Sequence, residues 1–144
     1  MNLKINVPIK KRSIIKIPFF GKVHPLKRPR KGRAGNIYQP KDNQMELLEH
    51  LSLFSYLQIK EPCIIDLYVY FKGQINKYPA SKNYGDVDNL TKAVLDALVS
   101  NGILKDDGLV VGCSAYKAFS TENFAVVEIW SIQNSSLGNI KKIV

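Results

Sequence analysis

The chain is expected to form one α+β domain, in which a four-stranded mixed sheet and two helices follow the order β-α-β-α-β-β. Three observations predict this. With 144 residues, 45% of them hydrophobic, the chain is long enough for one proper core and short for two. Two stretches carry apolar residues at helical spacing, and four read as short strands. Two helices are too few to cover both faces of an all-parallel sheet, so the sheet should be mixed and the layers paired on one side.

Taken in order, Ser13–Phe19 is a short strand that Pro18 should end or place at a sheet edge. Residues 20–40 are loop-like, because Gly21, Pro25, Pro29, Gly32, Gly35 and Pro40 break both periodicities. Asp42 or Asn43 can cap a helix reaching about Tyr56, with Met45, Leu48 and Leu51, joined by Leu47 and Phe54, as its apolar stripe. Pro62 opens a strand in which Cys63, Ile65, Leu67, Val69 and Phe71 alternate with Ile64, Asp66, Tyr68 and Tyr70. After a polar loop from Gly73 to Gly85, a second helix starts at Asp86 or Asp88. It buries Leu90, Ala93, Val94, Ala97 and Leu98 and stops at Asn101-Gly102. Asp106-Asp107-Gly108 is a turn. Leu109–Phe119 and Phe124–Ile132 are two strands, expected to form a hairpin through Ser120–Asn123. The domain is assigned to residues 14–132, with a basic extension at 1–13 and a frayed tail at 133–144.

The charge is unevenly placed. The chain is +9 overall, and residues 1–41 hold twelve of the 21 cations and no acid. The other 103 residues carry nine cations and all twelve acids, a net of −3. A basic arm ahead of a slightly acidic body suits a polyanion, although a merely solubilising tail would look similar. Cys63 and Cys113 lack metal-site spacing and read as small core hydrophobes in a reducing compartment. The N-terminus has no signal-type apolar core, and no run approaches the roughly 20 residues needed to span a bilayer. A cytoplasmic protein with no membrane partner is expected.

The chemistry-bearing stretch is Asp86-Val87-Asp88-Asn89-Leu90-Thr91-Lys92, followed by Asp96 and then Asp106-Asp107. Asp86 and Asp88 are two apart, so in an extended segment both face one side. One Asp there could be just a helix cap, but a second beside it is repelled unless a cation intervenes. Lys92 lies four residues from both Asp88 and Asp96, at the spacing of ordinary surface ion pairs. Asp106-Asp107-Gly108 is a turn sequence in its own right, and nothing local says that it folds back beside Asp86. Hard carboxylate oxygens suit Mg²⁺, which can promote phosphodiester hydrolysis without histidine. These residues leave a metal-dependent phosphodiesterase and a non-catalytic nucleic-acid-binding module both open.

The run from Asp86 to Leu98, followed by Gly102 and Asp106-Asp107, resembles the signature of the RusA family of Holliday-junction resolvases. Pro25-Leu26-Lys27-Arg28-Pro29-Arg30 and Tyr38-Gln39-Pro40 resemble further segments of many RusA-like proteins. The resemblance implies an endonuclease using Mg²⁺, or Mn²⁺ in its place. It would act as a homodimer on four-way DNA junctions, making paired symmetric nicks that leave 5′-phosphate ends, in recombination and repair. It implies Asp86, Asp88 and Asp107 as metal-binding catalytic carboxylates and Lys92 as the catalytic lysine, with Asp107 favoured over Asp106. Asp96 is expected to support Lys92. Phosphate contacts are expected from Lys22, Lys27, Arg28, Arg30, Lys31, Arg33 and Lys117, with nucleoid association when DNA is bound and prophage origin as one source. Two helices do not cover a four-stranded sheet, which leaves apolar or aromatic surface such as Tyr68, Tyr70 or Trp130 open to an interface whose residues the sequence does not name. The chain departs from some relatives in having Gly85 where they carry a basic residue and Leu109 where others carry Gln.

Overall fold

The computed structural model describes residues 9–26, 30–38 and 44–132, with only the backbone of Arg30 and Tyr38. Lys27, Arg28, the Asp42 and Asn43 caps and the terminal segments 1–8 and 133–144 lie outside the described residues. The elements are β1 (Lys11–Phe19), β2 (Arg30–Lys31), β3 (Ile37–Tyr38), α1 (Met45–Ser52), β4 (Cys63–Lys72), α2 (Val87–Ser100), β5 (Val110–Ser120) and β6 (Phe124–Ile132). The main sheet has the order β1-β6-β4-β5, with β4 parallel to β5 and the other pairs antiparallel. This is the expected four-stranded mixed sheet with two helices. Pro18 sits on an edge strand, and β1 begins at Lys11, within the stretch assigned to the extension.

Two expectations of local structure need correction. Residues 20–40 are not all loop, because β2 and β3 pair as a short ribbon. The ribbon closes through Gly32 N–H to Asn36 O (2.6 Å), with Gly35 at φ +80°. More consequentially, β5 and β6 are not a hairpin. The β4-α2-β5 segment is a crossover unit, which lays β5 parallel against one edge of β4. That leaves the other edge of β4 for β6, and β1 adds outside it. The link between β5 and β6 therefore arches over the end of β4. There Lys72 N–H donates to Asn123 Oδ1 (2.8 Å) and Gly73 N–H to Ser120 O (3.0 Å).

The core lies between the sheet and the helices. Cys63, Ile65, Leu67, Val69 and Phe71 of β4 pack with Leu90, Val94, Ala97 and Leu98 of α2 and Leu47 and Leu51 of α1. Met45, expected on the stripe of α1, is 66% exposed. The helix begins at that residue, and its buried face follows the i, i+4 pair Leu47 and Leu51. Cys63 is buried as expected, but Cys113 is exposed on the edge strand β5.

On the sheet's other face Asp66 is buried in a polar cluster. Its carboxylate accepts from Lys11 Nζ (2.7 Å), Ser114 Oγ (2.7 Å) and Trp130 Nε1 (3.1 Å), so residues from all four strands meet there. Burial works against its ionised form, but the hydrogen bonds from Lys11, Ser114 and Trp130 outweigh it and hold the carboxyl below the usual range. A carboxyl lowered in the folded state adds stability at neutral pH, and the gain is lost as pH falls below about 4. Asp66→Ala should cost about 1–3 kcal/mol at neutral pH, since Ser114 Oγ and Trp130 Nε1 lose their acceptor while the exposed Lys11 ammonium returns to water. Denaturant titration followed by Trp130 fluorescence would measure this. The deficit against wild type should shrink in acid, and a deficit unchanged at pH 3 would contradict the account.

Candidate active site

Helix α2 has two working faces. Leu90, Ala93, Val94, Ala97 and Leu98 enter the core. Asp88, Thr91, Lys92, Leu95 and Asp96 line an open hollow of about 610 Å³, whose far wall is Asp107, Cys113, Ser114 and Ala115. The spacing of three and four places these side chains on one stripe. The structure thus brings Asp88, Lys92, Asp96 and Asp107 to one hollow between α2 and the free edge of β5.

Asp86 is the N-cap residue of α2, yet its side chain makes no capping hydrogen bond. Its main chain does the helical work instead, with Leu90 N–H donating to Asp86 O (3.0 Å). The carboxylate is therefore not occupied with capping. Gly85 before it has φ +87°, and a Cβ there would stand 2.8 Å from Pro25 Cβ and Cγ. Glycine is required at this position on both counts, which accounts for the missing basic residue. Pro25 and Leu26 dock here, with Leu26 N–H 3.5 Å from Asn89 O. Lys31 and Arg33 are exposed. Lys22 is exposed as well.

Asp106 and Asp107 part company. An Asp106 oxygen lies 3.2 Å from where a Cβ on Gly108 would be, so that carboxylate folds over its own turn. Asp107 faces the hollow. The return from α2 is pinned by the fully buried Ile103 and Leu104 and by a bridge to Ile59 (Ile59 N–H to Ile103 O, 2.7 Å). Lys92 and Asp96 share the hollow, but among the described residues they form no ion pair within 4 Å, so the expected support of Lys92 by Asp96 is not made. Lys117 reaches the Gly85 carbonyl (2.8 Å). Sequence reasoning missed Cys113 as a lining residue. Desolvation, with Asp66 behind it, pushes this thiol up.

The topology decides how far apart these groups lie. Gly85 sits beside Lys117 near the end of β5, whereas Asp107 lies three residues before Val110 at its start. Seven residues of strand span about 23 Å, and the fourteen residues of α2 run back over about 21 Å. Asp88 stands at one end of the hollow, with Asp86 just beyond it, and Asp107 at the other. Two oxygens on one Mg²⁺ lie within about 4 Å. One chain therefore does not bring all three carboxylates to one ion, and among the described residues no three metal-ligating side chains are grouped.

No curated protein matches the chain. Among solved structures it is similar to the periplasmic domain of Helicobacter pylori MotB. One structure (residues 90–256) shows 15% identity and a TM-score of 0.41, covering 94% of this chain and 83% of that one. Another (residues 97–256) shows 12% identity and the same TM-score, covering 94% and 93%. Likeness at that level carries no functional weight. The family described as Endodeoxyribonuclease RusA matches residues 21–130, a span that takes in α1, α2, every residue lining the hollow and the strands that carry them. With that match over most of its length, the chain belongs to the RusA endodeoxyribonuclease family, whose activity is that of a nuclease on Holliday junctions.

Proposed function

We propose that this protein is a Mg²⁺-dependent endonuclease that resolves four-way DNA junctions as a homodimer, by paired symmetric nicks leaving 5′-phosphate ends. The observation that carries the reading is the hollow itself: in a chain of this family, Asp88, Lys92 and Asp107 line one exposed groove, with an uncapped Asp86 beside it. The donors fit a hard cation, since they are carboxylate oxygens. Asp86 and Asp88 would hold the ion from one chain. Asp107 would come from a second copy.

The free edge of β5 supports that arrangement. Two copies related by a two-fold axis across it run antiparallel, setting the Asp107 end of one against the Asp86–Asp88 end of the other. Two-fold symmetry then yields two identical composite sites, one for each strand to be cut. Val111, exposed on this strand, offers apolar surface for the contact. The open sheet face is less suited, because Tyr68 stacks on Tyr116, Tyr70 on Phe124, and Trp130 is bonded to Asp66.

When bound, Mg²⁺ supplies Lewis acidity toward the phosphodiester and acidity to an attacking water. Lys92, one helical turn from Asp88, places its ammonium where negative charge grows on the phosphorane oxygens. Lys22, Lys27, Arg28, Arg30, Lys31 and Arg33 hold the junction arms by their phosphates, fixing register without reading bases. Such an enzyme works where cellular or prophage DNA recombines, in the cytoplasm.

The test is incubation with a synthetic four-way junction and Mg²⁺, with EDTA as control, alongside sedimentation. Paired nicks abolished by EDTA and a mass of about twice 16.3 kDa are expected. Junction binding without metal-dependent nicks would favour a binding module of the same fold instead.

A further inference from the structure

We propose that Lys117 is a positioning residue that fixes the direction of Asp86, rather than a phosphate contact. The inference rests on the nuclease reading of the Asp86–Asp88 end. Its first support is the bond from Lys117 Nζ to the Gly85 carbonyl at 2.8 Å, made across the β5–α2 gap. A lysine meant for phosphate keeps its ammonium toward solvent, whereas this one is aimed inward at the peptide that leads into Asp86. A charged donor makes a bond about twice as strong as a neutral one.

The surroundings make that bond consequential. Lys117 and Phe119 lie two apart on β5 and so share a face. They grip consecutive residues of the approaching chain, because Tyr84 sits between Phe71 and Phe119, with ring centroids 5.0 and 5.2 Å away. Gly85 is buried, wedged by Pro25, and its N–H is bonded to Lys82 O (3.0 Å). Lys117 secures the one remaining polar group of that residue. On the far side of Asp86, its own carbonyl is taken by Leu90 N–H. The Cα of Asp86 is thus held from both sides, and the direction in which its carboxylate leaves the chain is set before any ion arrives. The fixed charge also offsets the repulsion between Asp86 and Asp88.

Lys117→Met keeps the aliphatic stem and removes the ammonium. Its single-turnover cleavage rate should fall about 10- to 100-fold, as for a catalytic group misplaced by an ångström, with junction Kd and its salt slope unchanged. Lys117→Arg, which restores a charged donor, should recover most of the rate. A readout independent of cleavage is the NMR spectrum: the Gly85 carbonyl carbon and the Asp86 amide should shift in Lys117→Met while β4 and β6 stay in place. Gly85→Ala breaks the same turn, so the double variant should be no slower than the slower single one. Unshifted Gly85 and Asp86 resonances would overturn the proposal. So would a wild-type rate at saturating enzyme with a salt slope reduced by about 0.9, which marks a lost phosphate contact. Should the wild type cut no junction at all, the nuclease reading fails, and the resonances still decide whether Lys117 holds the turn.

Discussion

Asp86→Asn, Asp88→Asn and Asp107→Asn are each expected to abolish junction nicking while leaving junction binding intact or tighter. Removing negative charge near DNA cannot weaken phosphate contacts, whereas losing a carboxylate ligand disables the metal site. The sharper result comes from mixing two dead variants. In a dimer of Asp88→Asn with Asp107→Asn, a site built within one chain is broken in both subunits. A site built across the two-fold axis behaves differently: one composite site carries both substitutions, and the other carries none. An equal mixture, allowed to exchange subunits, should therefore recover about a quarter of the wild-type sites, since half of the dimers are mixed and each has one intact site of two. Those dimers should nick one strand per encounter. No recovery after verified exchange would put the third ligand in the same chain as the first two, against the distance that α2 and β5 impose.

Lys92→Ala is expected to cut the cleavage rate about 10²- to 10³-fold, the range for removing one donor to a developing negative charge, with junction affinity nearly unchanged. The residue is exposed on α2 and forms no ion pair with Asp96, so alanine costs little packing. Rate constants at saturating enzyme and separate binding curves make the distinction. An affinity loss equal to the rate loss would make Lys92 an ordinary phosphate contact. Asp96→Asn, by the same geometry, should have a milder effect through the field in the hollow, because it makes no ion pair with Lys92.

What the sequence determined by itself is everything that depends on residues near one another in the chain. The 3.6-residue period of Leu90, Ala93, Val94, Ala97 and Leu98 defined the buried face of α2, and the same period put Asp88, Lys92 and Asp96 on the opposite stripe. Alternation in Cys63–Phe71 identified β4 and its two faces, and Asn101-Gly102 marked where α2 stops, with Gly102 at φ +70°. The motif from Asp86 to Asp107 carried the family. Tertiary structure decided what depends on which strand lies beside which. Alternation is the same whether β5 and β6 pair with each other or flank a third strand, so the arch over β4 could not be read locally. Cys113 has the neighbours of a core residue in sequence and is exposed only because β5 is an edge. The separation of Asp86 from Asp107 has the same origin. The spacing of the motif in the chain is silent about direction, and the crossover makes α2 run the length of β5, carrying its two ends and their carboxylates apart.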